Sequence, residues 1–329
     1  MAKSLVSKID EEMENILRPK FLTDFVGQTR DVKNIKVFIS AAKKRNEPLD
    51  HVLLCGAPGL GKTSLAQVIA NEMGGKLRTI NGPSIERQGD IAHILSLLEP
   101  GEILFIDEIH GLPKNVEEIM YSAMEDFSLK VVVPRDDGVN TLEVTLPPFT
   151  IIGSTTKVNL LSSPFKMRFG IQMTMKFYKV EELKEIVIRS AKILGIAIHD
   201  SAALEIAKRA RGTPRIANNL LKRVRDFAND KNKDIISKQI VDYGLEQLNI
   251  DSAGLDSTDV SYLRVLVERY KGRPVGLETI ASTIGDNAKN LEEVIEPYLL
   301  SIGFIERTIR GRVVTEEGRK HFVELYSIK

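Results

Sequence analysis

Gly56-Ala-Pro-Gly59-Leu-Gly61-Lys62-Thr63 has the spacing G-x-x-x-x-G-K-[ST], and the chemistry of that spacing is phosphate binding. Its glycines let backbone N–H groups curl around phosphate oxygens, while a following helix adds the positive end of its dipole. Lys62 would neutralise the β and γ phosphates, and the Thr63 hydroxyl would face a magnesium ion, which keeps several waters and needs few protein ligands. The context fits: an apolar run, Val52–Cys55, precedes the loop, and Leu65, Ala66, Ile69 and Met73 follow at helical spacing. Gly59, Gly61, Lys62, Thr63 and Ser64 are therefore the expected nucleotide-binding residues here.

A second apolar run, Ile103–Ile106, ends in Asp107 and Glu108. Asp107 can complete the magnesium shell, and Glu108 can polarise a water for in-line attack on the γ-phosphate. A third, Thr150–Ile152, leads into Gly153-Ser-Thr155-Thr156, small hydroxyl side chains at the strand end where ligands collect in α/β sheets. Thr156 is placed to hydrogen-bond the γ-phosphate or the water. Together these residues describe hydrolysis of a magnesium-nucleoside triphosphate. Cys55 beside the loop is expected only to pack, and His110 has no assigned role.

The elements that must position these groups are legible from pattern changes. At 329 residues the chain exceeds one compact core. Residues 1–180 alternate buried-strand runs with helical patterns, an α/β domain with a parallel sheet covered by helices on both faces. Residues 181–251 lose the strands and space their apolar side chains helically through Leu183, Ile186, Val187 and Ala191, then Ala203, Leu204 and Ala207. From 252 to 329, a linker running into a helix N-cap leads to helical patterns at Leu263–Tyr270, Leu277–Ile284 and Leu291–Leu300. A hairpin follows: Phe304–Thr308, a turn at Arg310-Gly311, then Arg312–Thr315. Three helices and a hairpin predict a winged helix. Within the first domain, Leu129–Val133 and Thr141–Leu146 alternate as two antiparallel strands around a connection at Pro134–Asn140, with apolar side chains exposed.

Composition sets outer limits. Forty-six basic against forty-five acidic residues give a net charge of +1, which denies the molecule a global field for nucleic acid, so any such contact is a local patch. The single Cys55 excludes an internal disulfide, the opening Met-Ala-Lys-Ser-Leu lacks a secretory apolar stretch, and no run approaches the ~20 apolar residues of a membrane span. A cytoplasmic protein is expected.

Taken in order, the motifs resemble the AAA+ superfamily: P-loop, Asp-Glu pair, sensor threonine, arginine finger and a second sensor in a helical lid. Four further strings are similar to the RuvB family of Holliday-junction branch-migration motors. They are Leu17-Arg18-Pro19 with Phe25-Val-Gly27-Gln28; Leu146-Pro-Pro-Phe-Thr-Ile-Ile-Gly-Ser-Thr-Thr156; Arg168-Phe-Gly-Ile; and Arg211-Gly-Thr-Pro-Arg-Ile-Ala-Asn218. The likeness covers nearly the whole chain. It implies a P-loop AAA+ domain, a helical lid and a winged helix. Leu17, Arg18, Glu125, Asp126, Phe127 and Tyr178 would border the nucleotide, and Arg215 would touch its γ-phosphate from the lid. Arg168 would reach the neighbouring subunit's site in trans, a contribution worth ~10³–10⁵ in rate. A finger supplied head to tail is a contact that must close on itself as a ring or run on as a filament, and the family resemblance implies the ring, a homo-hexamer. The sequence departs from the family at Ala57, where proline is common, and at Lys157 and Lys166, where arginine is usual; lysine lacks the planar fork.

By the same resemblance the hairpin at 129–146 would bind a RuvA-like junction-recognising partner, unless it merely extends the sheet, and a RuvC-like resolvase would join the larger complex. Arg307 and Arg312 would hold double-stranded DNA and four-way junctions. Arg310, at the same hairpin tip, is added on its position alone. Such a cluster positions a protein on phosphates without reading sequence. Two mechanisms remain open: a motor that pumps duplex through the ring over many turnovers, and a loader that uses about one hydrolysis per assembly event.

Overall fold

The computed structural model describes residues 14–135 and 138–326. Contacts divide the chain into two units, one of Met1–Gly56 with Leu60–Lys176 and one of Ala57–Gly59 with Phe177–Lys329.

In the first unit the strands run β1 (Val52–Cys55), β2 (Leu77–Asn81), β3 (Ile103–Asp107), β4 (Ser128–Arg135), β5 (Gly138–Thr145), β6 (Thr150–Thr155) and β7 (Ile171–Thr174). Five of them form a sheet in the order β2-β3-β6-β1-β7, with every neighbouring pair parallel. Leu53, Cys55, Leu104, Ile106 and Ile151 enter the core on one face; Val52, Leu54, Ile103, Phe105 and Ile152 enter the core on the other. Burial on both faces explains why β1, β3 and β6 read as unbroken apolar runs. The edge strands β2 and β7 escape that reading because each is covered only in part: Arg78, Asn81, Gln172 and Thr174 interrupt them. Because the sheet is parallel, the carboxyl ends of β1, β3 and β6 open on one edge, and the chemistry-bearing loops leave from there.

Outside the sheet, β4 and β5 pair antiparallel from Ser128↔Thr145 to Arg135↔Gly138. The expected break at Pro134 does not occur: Pro134 pairs with Val139, as a two-stranded ribbon allows because a residue without an N–H can face its open side. Leu129 and Leu146 are buried at the root and Val144 is exposed, so the apolar pattern is exposed in part only. The side chains of Val131, Val133 and Leu142 lie outside the described residues.

The second unit begins with helices Val180–Ile193, Asp200–Lys208, Pro214–Asp230 and Lys238–Gln247, clipped by the parallel pair β8 (Ala197–Ile198) and β9 (Ile235–Ile236). Helices Ser257–Arg264, Leu277–Ile284 and the helical run over residues 288–301 then surround a core of Tyr262, Leu263, Leu266, Ile280, Leu299 and Phe322. Asp256 caps the first of these through its side chain, accepting from the N–H groups of Thr258 and Asp259 at 2.7 and 3.1 Å. The wing is β10 (Ile305–Thr308) and β11 (Gly311–Val314), closed by helix Glu316–Tyr326. Its turn is Ile309–Arg310, one residue earlier than expected, because Thr308 already pairs with Gly311.

The stretch expected as a linker is anchored. Asp251 accepts from the Ala253 and Leu255 N–H groups at 2.8 Å, and its other oxygen meets His321 at 2.7 Å and the Tyr326 hydroxyl at 3.0 Å. Nearby, Arg211 forms a two-pronged bond with the fully buried Asp259 at 2.9 and 3.0 Å and lies over the Tyr298 ring. Burial pushes the Asp259 carboxyl up to about 7, against the pull of Arg211. Among the described residues no helix is long and apolar enough to cross a membrane.

Candidate functional site

The loop after β1 turns on Gly56, whose φ of +144° is open to glycine and whose missing Cβ would stand 2.9 Å from the Met175 carbonyl oxygen. A side chain there has neither the conformation nor the room. The Gly56 N–H donates to Thr155 O at 3.2 Å, tying the loop to the end of β6. Lys62 opens helix Lys62–Met73 from Gly61 and folds back, its buried ammonium donating to Gly56 O at 2.8 Å. Thr63 and Ser64 follow in the first turn, half-buried. Ala57–Gly59 group with the second unit, where a Cβ on Gly59 would lie 3.3 Å from that of Arg215. Arg215 is thus beside Gly59 of the glycine loop.

At the ends of β3 and β6 the acidic pair meets the hydroxyl cluster. Asp107 Oδ1 accepts from the Ser154 hydroxyl and from the Glu108 N–H. Glu108 Oε2 accepts from Thr156 twice, from its N–H at 3.2 Å and its hydroxyl at 3.1 Å. Asp107, Glu108 and Thr156, expected in one site, are brought together by these bonds. Ser154, the partner of Asp107, is not among the residues expected there, nor is His110, whose Nδ1 lies 3.0 Å from both Glu108 Oε2 and Thr155 Oγ1. The Asp-Glu-Ile-His string was the available signal.

Leu17 and Tyr178 are buried, the latter donating its N–H to Gly212 O, and Arg18 is half-buried. Phe127 packs edge-on against Phe149, and Asp126 ends helix Lys114–Glu125. Arg168 is not a free finger within the chain: it pairs with Glu125 at 2.8 Å and lies near the Tyr121 ring. Cys55 is buried, and burial pushes its thiol pKa up, as suits a packing role.

In the wing, Arg307 and Arg312 face each other across the strand pair, a costly placement for like charges. The fully buried carboxylate of Glu296 resolves it. Arg307 donates to it through Nε and Nη2 at 2.8 and 2.6 Å, Arg312 through Nε at 2.9 Å, and the Tyr262 hydroxyl at 2.7 Å. Burial opposes the Arg312 charge, yet Glu296 wins and raises its pKa. Arg310, by contrast, is exposed at the tip beside a fully exposed Ile309. The three arginines are therefore not equivalent: two are braced and one projects.

The donor set beside the glycine loop suits magnesium, since a Thr63 hydroxyl and an Asp107 carboxylate are oxygen ligands of the kind that ion shares with phosphate and water. Fold and site together define a nucleotide-binding P-loop ATPase of the AAA+ class: a parallel sheet ordered β2-β3-β6-β1-β7, a phosphate loop after β1 and an acidic pair after β3. Profiles for the "Holliday junction DNA helicase RuvB P-loop domain", the "RuvB AAA lid domain" and the "RuvB C-terminal winged helix domain" match residues 17–175, 178–251 and 252–323. The chain belongs to the RuvB family. It is 53% identical over 322 residues to the "Holliday junction branch migration complex subunit RuvB" of Leuconostoc mesenteroides, covering 97% of this chain and 92% of that protein. To the Oenococcus oeni protein of the same name it is 52% identical over 320 residues, 97% of this chain and 94% of that one. The solved structure of the Thermotoga maritima RuvB Holliday junction branch migration motor superposes with a TM-score of 0.85 at 49% identity, over 95% of this chain and 100% of that chain.

Proposed function

We infer that this chain is an ATP-driven motor for branch migration of Holliday junctions in recombination and repair, working as a cytoplasmic homo-hexameric ring on duplex DNA. One observation carries the reading: the phosphate loop, the Asp107-Glu108 pair and Thr156 converge on one sheet edge in a chain matched along its length by the three RuvB domain profiles. The domains divide at 1–180, 181–251 and 252–329.

Gly59, Gly61, Lys62, Thr63 and Ser64 hold the phosphates. Thr63 and Asp107 hold magnesium, which when bound draws charge off the β and γ phosphates. Glu108 takes the proton from the attacking water, and Thr156 orients that carboxylate. Arg215 senses the γ-phosphate, while Arg168 serves the neighbouring subunit. Leu17, Arg18, Glu125, Asp126, Phe127 and Tyr178 border the nucleotide. Arg310 grips phosphates at the wing tip, with Arg307 and Arg312 behind it, and the β4–β5 ribbon docks the junction-binding partner. A resolvase joins the same complex.

Strand displacement on a synthetic four-way junction, with a RuvA-type partner supplied, tests the reading. Many ATP molecules should be consumed per junction resolved into duplexes. About one ATP per protein assembled, with no displacement, would instead identify a loader.

A further inference from the structure

We propose that His110 is a positioning residue for Glu108, fixing by its Nδ1–H which carboxylate oxygen is left to face the attacking water. The inference rests on Glu108 being the base.

The observed contacts to the Glu108 carboxylate all fall on Oε2: the Thr156 N–H at 3.2 Å, the Thr156 hydroxyl at 3.1 Å and His110 Nδ1 at 3.0 Å. An ionised carboxylate only accepts, so the proton between it and the imidazole belongs to Nδ1. The same nitrogen lies 3.0 Å from Thr155 Oγ1, an atom that already accepts the Lys157 N–H at 2.9 Å. The one Nδ1–H is therefore shared between the Glu108 carboxylate and Thr155 Oγ1, a bifurcated donor that links the carboxylate to the end of β6. The remaining oxygen, Oε1, takes none of these contacts and is the one left to accept the water's proton.

The backbone gives a reason for such support. Glu108 stands at φ +46°, ψ +51°, a left-handed conformation that is unfavourable for a non-glycine residue and persists where the surroundings over-determine it. Those surroundings are visible. The Gly111 N–H bonds the Glu108 carbonyl at 2.8 Å, and Gly82 lies so close to that oxygen that a Cβ there would collide with it. The short turn Ile109–Gly111 that follows carries His110 back over the carboxylate. A strained backbone fixes where the side chain begins; His110 and Thr156 fix where it ends.

Two amide replacements separate positioning from bulk. An asparagine amide nitrogen occupies the place of Nδ1, whereas that of glutamine reaches toward the place of Nε2. Steady-state ATP hydrolysis, fluorescent-ADP binding and thermal melting of the full chain are compared for His110→Asn and His110→Gln. The expected result is kcat within about threefold of the parent for His110→Asn and a loss of about tenfold or more for His110→Gln, with ADP affinity and melting unchanged in both. Equal kcat in the two variants, fast or slow, overturns the proposal, as does a loss of ADP affinity that matches the loss of kcat. Glu108→Gln, measured alongside, reports separately on the base itself: undiminished turnover in that variant would remove the base assignment whatever His110 does.

Discussion

Arg168 Nη1 lies 2.8 Å from Glu125 Oε1 in the same chain. A cation that is to act across a subunit boundary must leave or share that pairing, and with Glu125 exposed and Arg168 half-buried, solvent keeps its hold to about 1 kcal/mol. The tie is weak enough to serve as a resting place for the side chain.

Complementation tests the role in trans. Arg168→Ala keeps its own phosphate loop and base but lacks the finger; Glu108→Gln keeps the finger but lacks the base. Each alone should bind ATP and hydrolyse it ~10³-fold more slowly or worse. Mixed one to one, they should recover a measurable fraction of the parent ATPase rate, because some boundaries then unite a complete site with an intact arginine. A mixture as inert as its components would place Arg168 outside the neighbouring site.

The wing arginines should separate into two behaviours. Arg310→Ala should leave the melting temperature alone while weakening duplex binding and reducing the slope of log K against log salt by about one. Arg312→Ala leaves the buried Glu296 with one guanidinium fewer, so urea denaturation should show a loss approaching the ~3–5 kcal/mol of a broken buried pair, Arg307 remaining in place. Equal stability in the two variants would contradict the bracing described here.

His51 predicts an acid limit. Its Nδ1 accepts from Ile151 N–H at 2.9 Å and its Nε2–H donates to Met124 O at 3.1 Å, so both nitrogens are committed in the neutral ring and burial lowers its pKa. The group's stabilising contribution is present above the unfolded value of 6.5 and is lost as pH falls from there toward the lower folded value. Parent protein should lose up to about 1.4 kcal/mol per pH unit in that window relative to His51→Asn, which keeps an acceptor for Ile151 and does not titrate. Parallel pH curves for the two would refute this.

What the sequence disclosed follows from how local each feature is. The phosphate loop is a backbone requirement written in consecutive residues, and β1, β3 and β6 are unbroken because both faces are covered. Edge strands β2 and β7 were illegible, since half-covered strands of four or five residues carry too few apolar positions to stand out. Pairings set by tertiary packing were hidden altogether. Nothing near Arg307 or Arg312 in the chain announces Glu296, and Arg168 gives no sign of Glu125. In the active centre the acidic pair and the threonine are readable from type and order, while the share of His110 depends on a left-handed turn that is set by packing against Gly82.

The Glu296 carboxylate that Arg307 and Arg312 share has one more effect. The entropy of ordering Arg307 and Arg312 is surrendered when the domain folds rather than when a phosphate arrives. If it grips duplex as proposed, such a surface would meet each stretch already in shape and part from it without rearranging, so that hold and release would be nearly symmetric events. That is the property wanted in a hand that must let go as often as it takes hold.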